Sequence, residues 1–142
     1  MTPREQIIEI VNKLFIHTDS QNWNGLRTEV FDDRVFLDMS SLGGTASEMT
    51  ADEICAMWEA GFKGLDAVNH LGGNYVVEPV SETEAKVFAY ATATHYKEAA
   101  KHGKTREFVG TYDFKLRKID SKWKLYSFVY HLKYMTGNLD LT

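Results

Sequence analysis

The chain has 142 residues, 44% of them hydrophobic, with 2 prolines and a formal net charge of −4. That length suits a single domain over 1–142 with a buried core, and the acidic balance excludes a nucleic-acid partner, which needs a basic stripe to neutralise phosphates. The lone cysteine, Cys55, excludes an intramolecular disulfide. No stretch has the length and apolarity of a membrane span, so a cytoplasmic protein is expected.

The first helix is signalled by Thr2 as cap, Pro3 at the first helical position and Glu5 closing a capping box. Ile7, Ile8, Val11, Leu14 and Phe15 then recur at helical spacing. A shorter helix is expected from Asn22 to Glu29 with Trp23 and Leu26 inward, then a strand from Arg34 to Met39. Ser41 to Ser47, which contains Gly43 and Gly44, reads as a loop. Thr50 and Glu53 form a second capping box, opening a helix through Ile54, Met57, Trp58 and Phe62, with Cys55 a buried inert thiol.

After Gly64 the apolar period changes to two, which predicts strands near 67–78, 84–98, 106–119 and 122–135. The basic stretch from Lys97 to Arg106 reads as a solvated hairpin tip. Helices first and a long antiparallel meander afterwards give an α+β domain with its helices on one face of the sheet.

Three residues stand out on inward faces. Asp19 lies four residues after Phe15 on the apolar face of the first helix, where a buried carboxylate needs a partner; it either meets a donor or caps the next helix. His70 and His95 lie 25 residues apart (95 minus 70) on consecutive strands. His95 ends the series Ala85, Val87, Ala89, Ala91, Ala93, whose small side chains leave a hollow beside an imidazole. Met39, Trp58, Phe62, Tyr112, Phe128 and Tyr130 are candidates for its wall, although each also suits an ordinary core. His17 and His102 read as solvent-facing, and His131 is ambiguous. On the other face of the His95 strand, Phe88, Tyr90, Thr92, Thr94 and Tyr96 are too apolar to stay wet, so a homodimer or homotrimer through the outer sheet is expected.

Thr18-Asp19-Ser20-Gln21-Asn22-Trp23, the His70-Leu71-Gly72-Gly73-Asn74 stretch, the Tyr90-to-His95 strand and the closing Lys122-Trp123-Lys124 together resemble the SnoaL-like branch of the nuclear transport factor 2-like superfamily. The site layout is similar to that of scytalone dehydratase and, more loosely, of hexachlorocyclohexane dehydrochlorinase. This resemblance implies a cone-shaped α+β barrel, its N-terminal helices packed on a strongly curved, mainly antiparallel sheet. It also implies that Asp19 orients His70 as a general base, with His95 in the place of a second histidine and no cofactor or metal. Thr18 and Met39 fall where scytalone dehydratase has substrate-holding tyrosines, and Tyr112 where it has an asparagine.

These residues and the resemblance point to a dehydratase-like lyase or isomerase acting on a small, apolar, ring-containing substrate. A rival from another class is a non-catalytic ligand-binding or assembly module, such as an oxygenase small subunit, in which Asp19 is a cap and the histidines are structural. A third treats two histidines and an aspartate as a facial metal triad.

Overall fold

The computed structural model describes residues 1–142. Helix α1 (Pro3–Asp19) opens with the expected capping box: the Thr2 hydroxyl accepts from the Glu5 N–H and the Glu5 carboxylate from the Thr2 N–H. It closes with Gln21 in the left-handed region at φ 54°, while the Asn22 N–H reaches back to the His17 carbonyl at 2.8 Å. That abrupt stop leaves Asp19 at the helix end, facing the sheet.

Asn22, not Asp19, caps the next helical turn, its side chain accepting from the Gly25 N–H at 2.9 Å. The expected helix over 22–29 is instead a single turn, α2 (Trp23–Gly25), that widens into a π-helical stretch, Leu26–Val30. Leu26 and Val30 are fully buried there, and the wider turn brings both to the core before the chain extends into a strand.

The strands are β1 (Phe31–Asp38), β2 (Ala46–Thr50), β3 (Ala67–Pro79), β4 (Glu84–Tyr96), β5 (Thr105–Ile119) and β6 (Lys122–Gly137). Strand β1 begins three residues before the expected Arg34. The expected loop over 41–47 holds only a 3₁₀ turn, Ser40–Leu42, before β2 starts at Ala46. Strand β2 pairs antiparallel with β1 as a largely exposed edge, so its residues carry no apolar alternation. Helix α3 (Ala51–Gly61) has the second capping box, through Thr50 and Glu53. Its Ile54 and Cys55 are fully buried; Met57 is 41% exposed, because it turns to the side of the helix away from the sheet.

The six strands form one open sheet in the order β2-β1-β6-β5-β4-β3. All neighbours are antiparallel except β1 and β6. Register shifts at Gly73/Val76, Val109/Gly110 and Lys115/Leu116 interrupt the ladders, and such bulges bend a sheet and increase its twist. The result is a strongly curved α+β sheet with three helices packed on it, and the sheet does not close.

One hydrophobic cluster joins helices and sheet, including Val11, Leu14 and Phe15 of α1, Ile54 of α3, and Ala89, Phe114 and Leu125 of the strands. Strand β4 alternates strictly: Ala85, Val87, Ala89, Ala91, Ala93 and His95 are buried, whereas the residues between them are not. No helix is long and apolar enough to cross a membrane.

Candidate functional site

Gly72 determines how closely α1 approaches β3. A Cβ at this position would lie 2.6 Å from the Phe15 ring, so only glycine admits that ring against the strand. Phe15 then stacks on His70, with centroids 5.5 Å apart and planes 12° from parallel. Just beyond, Asn74 adopts the left-handed conformation (φ 54°) within the register shift that curls β3 around the helix.

With the helix held this close, the Asp19 carboxylate binds His70 twice. Its Oδ1 lies 2.6 Å from the ring Nδ1, and its Oδ2 accepts the His70 backbone N–H at 2.8 Å. Both oxygens are therefore committed to one residue, and the carboxylate has the hydrogen-bond partners its part-buried position demands. A carboxylate only accepts, so the contact assigns a proton to Nδ1 and leaves Nε2 as the nitrogen it does not engage.

Leu14, Phe15, Thr18, Met39, Leu42, Trp58, Phe62, His70, Ala93, His95, Phe108, Tyr112, Phe128 and Tyr130 line a half-open cavity of about 150 Å³. A cavity of that order accommodates a benzene-sized ring. The expected wall residues Met39, Trp58, Phe62, Tyr112 and Phe128 all line it, as do His70 and His95. Asp19 does not; it backs His70 from the helix side. Aromatic contacts fix the wall: Trp58 packs against Phe128 at 5.7 Å, and Tyr112 against Tyr130 at 4.7 Å. Burial pushes the Tyr130 hydroxyl up to about 12 and raises Tyr112 further, so both remain protonated phenols.

His95 lies between Phe62 and Phe108, with ring centroids at 5.6 and 5.0 Å. Its pKa is pushed down to about 4, first by burial and then by the cationic Arg106 and by His70. The Nε–H of Arg106 donates to His95 Nδ1 at 3.1 Å. Arg106 thus departs from the solvated hairpin tip expected for Lys97–Arg106: it is an inward-facing residue of β5, directly opposite His95 in the ladder. Asp19, His70 and His95 do not converge as a three-ligand cluster, for Asp19 reaches only His70 and the His95 Nδ1 faces a guanidinium.

Three histidines lie elsewhere. His17 is not solvent-facing as expected, its side chain being only 14% exposed beside Glu29 and Asn22. Its ring is drawn in where α1 meets the turn at Gly25, close to the point a Cβ on that glycine would occupy. His102 is exposed, and His131 pairs with Asp113 on the outer sheet face at 2.9 Å. Phe108 and Arg106 were not expected from the sequence as neighbours of the cavity. The inward parity of β5, already marked by Tyr112, extends through 108 to 106 and would have found both.

The family model described as SnoaL-like domain matches residues 1–129. No curated protein sequence matches the chain. Among solved structures, the Kfla4162 protein from Kribbella flavida superimposes with a TM-score of 0.91 at 25% identity, over 99% of this chain and 96% of that one. A scytalone dehydratase candidate from Novosphingobium aromaticivorans gives a TM-score of 0.78 at 20% identity, covering 94% of this chain and 85% of that one. Hexachlorocyclohexane dehydrochlorinase LinA-type3 from Novosphingobium barchaimii gives 0.76 at 15% identity, over 94% and 88%.

Proposed function

Because this chain belongs to the SnoaL-like family, we propose that it is a cofactor-independent lyase or isomerase in which His70 acts as general base and Asp19 as its orienting partner. The observation that carries this reading is the double contact of Asp19 with the His70 Nδ1 and backbone N–H. A carboxylate on Nδ1 steadies the ring and stabilises the imidazolium that forms when Nε2 accepts a proton. His70 Nε2 removes a proton from carbon next to an electron-withdrawing group. In a lyase a leaving group then departs from the neighbouring carbon with the bonding electron pair; in an isomerase the proton returns elsewhere on the same framework.

The apolar wall and the cavity of about 150 Å³ favour a compact, ring-containing substrate, and in this reading Tyr112 polarises a substrate oxygen. A thermal-shift screen of small aromatic and polyketide-like compounds supplies ligands, and turnover is then followed by loss of the starting compound. His70→Ala is expected to lower the rate by about 10²–10⁴-fold while the protein stays folded. Asp19→Asn, which cannot hold an imidazolium equally well, is expected to fall in the same direction. A fully active His70→Ala enzyme removes the proposal.

A second reading, an assembly module, is favoured by the outer face of the sheet, where Tyr90, Val76 and Tyr134 are 42%, 60% and 55% exposed. It is distinguished by an absence of stabilising ligands together with a tight heteromeric partner.

A further inference from the structure

The second histidine of the cavity sits in an electrostatic setting opposite to that of the first. His95 and Arg106 are direct cross-strand partners of β4 and β5, and the Arg106 Nε–H points at His95 Nδ1 at 3.1 Å. A guanidinium only donates and keeps its charge at all ordinary pH values, so the nitrogen facing it must offer a lone pair. A neutral imidazole with a bare Nδ1 carries its proton on Nε2.

Arg106 is itself held in place. Its Nη1 donates to the Leu139 carbonyl at 3.1 Å, and its guanidinium lies 5.6 Å from the Phe108 ring centre. Against His95 stand the uncharged rings of Phe62 and Phe108, the Arg106 cation and, across the cavity, His70. The Asp140 carboxylate acts on Arg106. No carboxylate touches the His95 ring to stabilise a positive charge on it, and burial and the adjacent guanidinium both oppose one.

We infer that Arg106 is a positioning residue that holds His95 as a neutral ring, with Nδ1 accepting from the guanidinium and Nε2–H standing as a fixed hydrogen-bond donor for a carbonyl-type oxygen on the ring compound in the cavity. This rests on the reading that the cavity takes a small molecule. The two histidines then divide the labour. His70, protonated on Nδ1 by its contact with Asp19, offers a lone pair that takes the proton. His95 offers an N–H that holds oxygen and stabilises the negative charge appearing there as the proton leaves carbon. It does not pass protons itself.

Two measurements on protein labelled with ¹⁵N in histidine and arginine test the inference, and neither needs turnover. In the unaltered protein, the His95 ring is expected to stay neutral from pH 8 to pH 5, protonated on Nε2, with a scalar coupling across the Arg106 Nε–H···Nδ1 bond. His70 is expected to show the other tautomer. In Arg106→Met that coupling disappears and the His95 titration midpoint rises. Cyclohexanone and methylenecyclohexane, which differ only in C=O against C=CH₂, serve as probes in NMR titrations. The unaltered protein is expected to prefer the ketone by about fivefold, the factor of one hydrogen bond, and His95→Phe to lose that preference.

A His95 that becomes imidazolium near pH 6.5, a Nδ1-protonated tautomer, or equal affinity for the two probes overturns the inference. The measurements on unaltered protein stand even if Arg106→Met fails to fold. An active His70→Ala enzyme sinks the base assignment and leaves these results untouched, so the two failures are distinguishable.

Discussion

Asp19 and His95 show how differently two polar side chains are accommodated at the edge of an apolar cavity. Asp19 places each oxygen on a separate donor of His70, whereas His95 avoids charge by burial and by facing a cation. The second arrangement makes stability depend on pH. With its pKa at about 4 in the folded state and an ordinary value of 6.5, His95 binds a proton more readily in the unfolded chain. Between those values the unfolded chain holds more protons, so this contribution is complete above pH 6.5 and is lost as the pH falls toward 4. Urea denaturation at pH 7 and pH 4 is expected to show a loss on the order of 3 kcal/mol from this group, and His95→Phe to flatten that slope. At this scale the sequence disclosed the histidines, because an imidazole ending a run of alanines is conspicuous. It concealed Arg106, which comes after the lysines of the hairpin and reads as one more solvated charge.

Among the elements, legibility tracked the local signals. Both long helices announced themselves through capping boxes, and β4 through strict alternation. Strand β2 gave no such signal, since an exposed polar edge strand has no buried face to mark with apolar residues. The π-helical stretch was equally hidden: Leu26 and Val30 are four apart, as in a regular helix, and the widening depends on what they pack against. A tight seam between elements lies where α1 meets β3 and Gly72 faces Phe15. Gly72→Ala is expected to drive the helix outward, lower stability by about 1–3 kcal/mol and weaken the Asp19–His70 contact. Chemical denaturation reads the first effect. The second appears as a change in the His70 ring ¹⁵N resonances, which an effect confined to packing would not produce.

For the molecule as a whole, sequence order and periodicity were enough to place the helices on one side of a mainly antiparallel sheet, because each apolar face needs a cover. The parallel pairing of β1 with β6 was not readable, since it joins segments nearly a hundred residues apart with no local signature. The sheet's outer surface retains Val76, Tyr90 and Tyr134 in solvent, with Lys133 4.5 Å from the Tyr90 ring centre. Light scattering coupled to size exclusion is expected to show a homodimer or homotrimer, and Val76→Glu with Tyr90→Glu to shift it to the monomer. An unaltered protein that runs as a monomer at high concentration counts against assembly through this face.

The methyl groups along β4 bear on how such a protein can diversify. Ala93 borders the cavity, but neither the Asp19–His70 contact nor the Arg106–His95 contact passes through it. Replacing that methyl by a longer aliphatic chain narrows the bore beside His70, its direct partner in the ladder. Guest size is thus open to point changes along one strand, at a position that also neighbours the base.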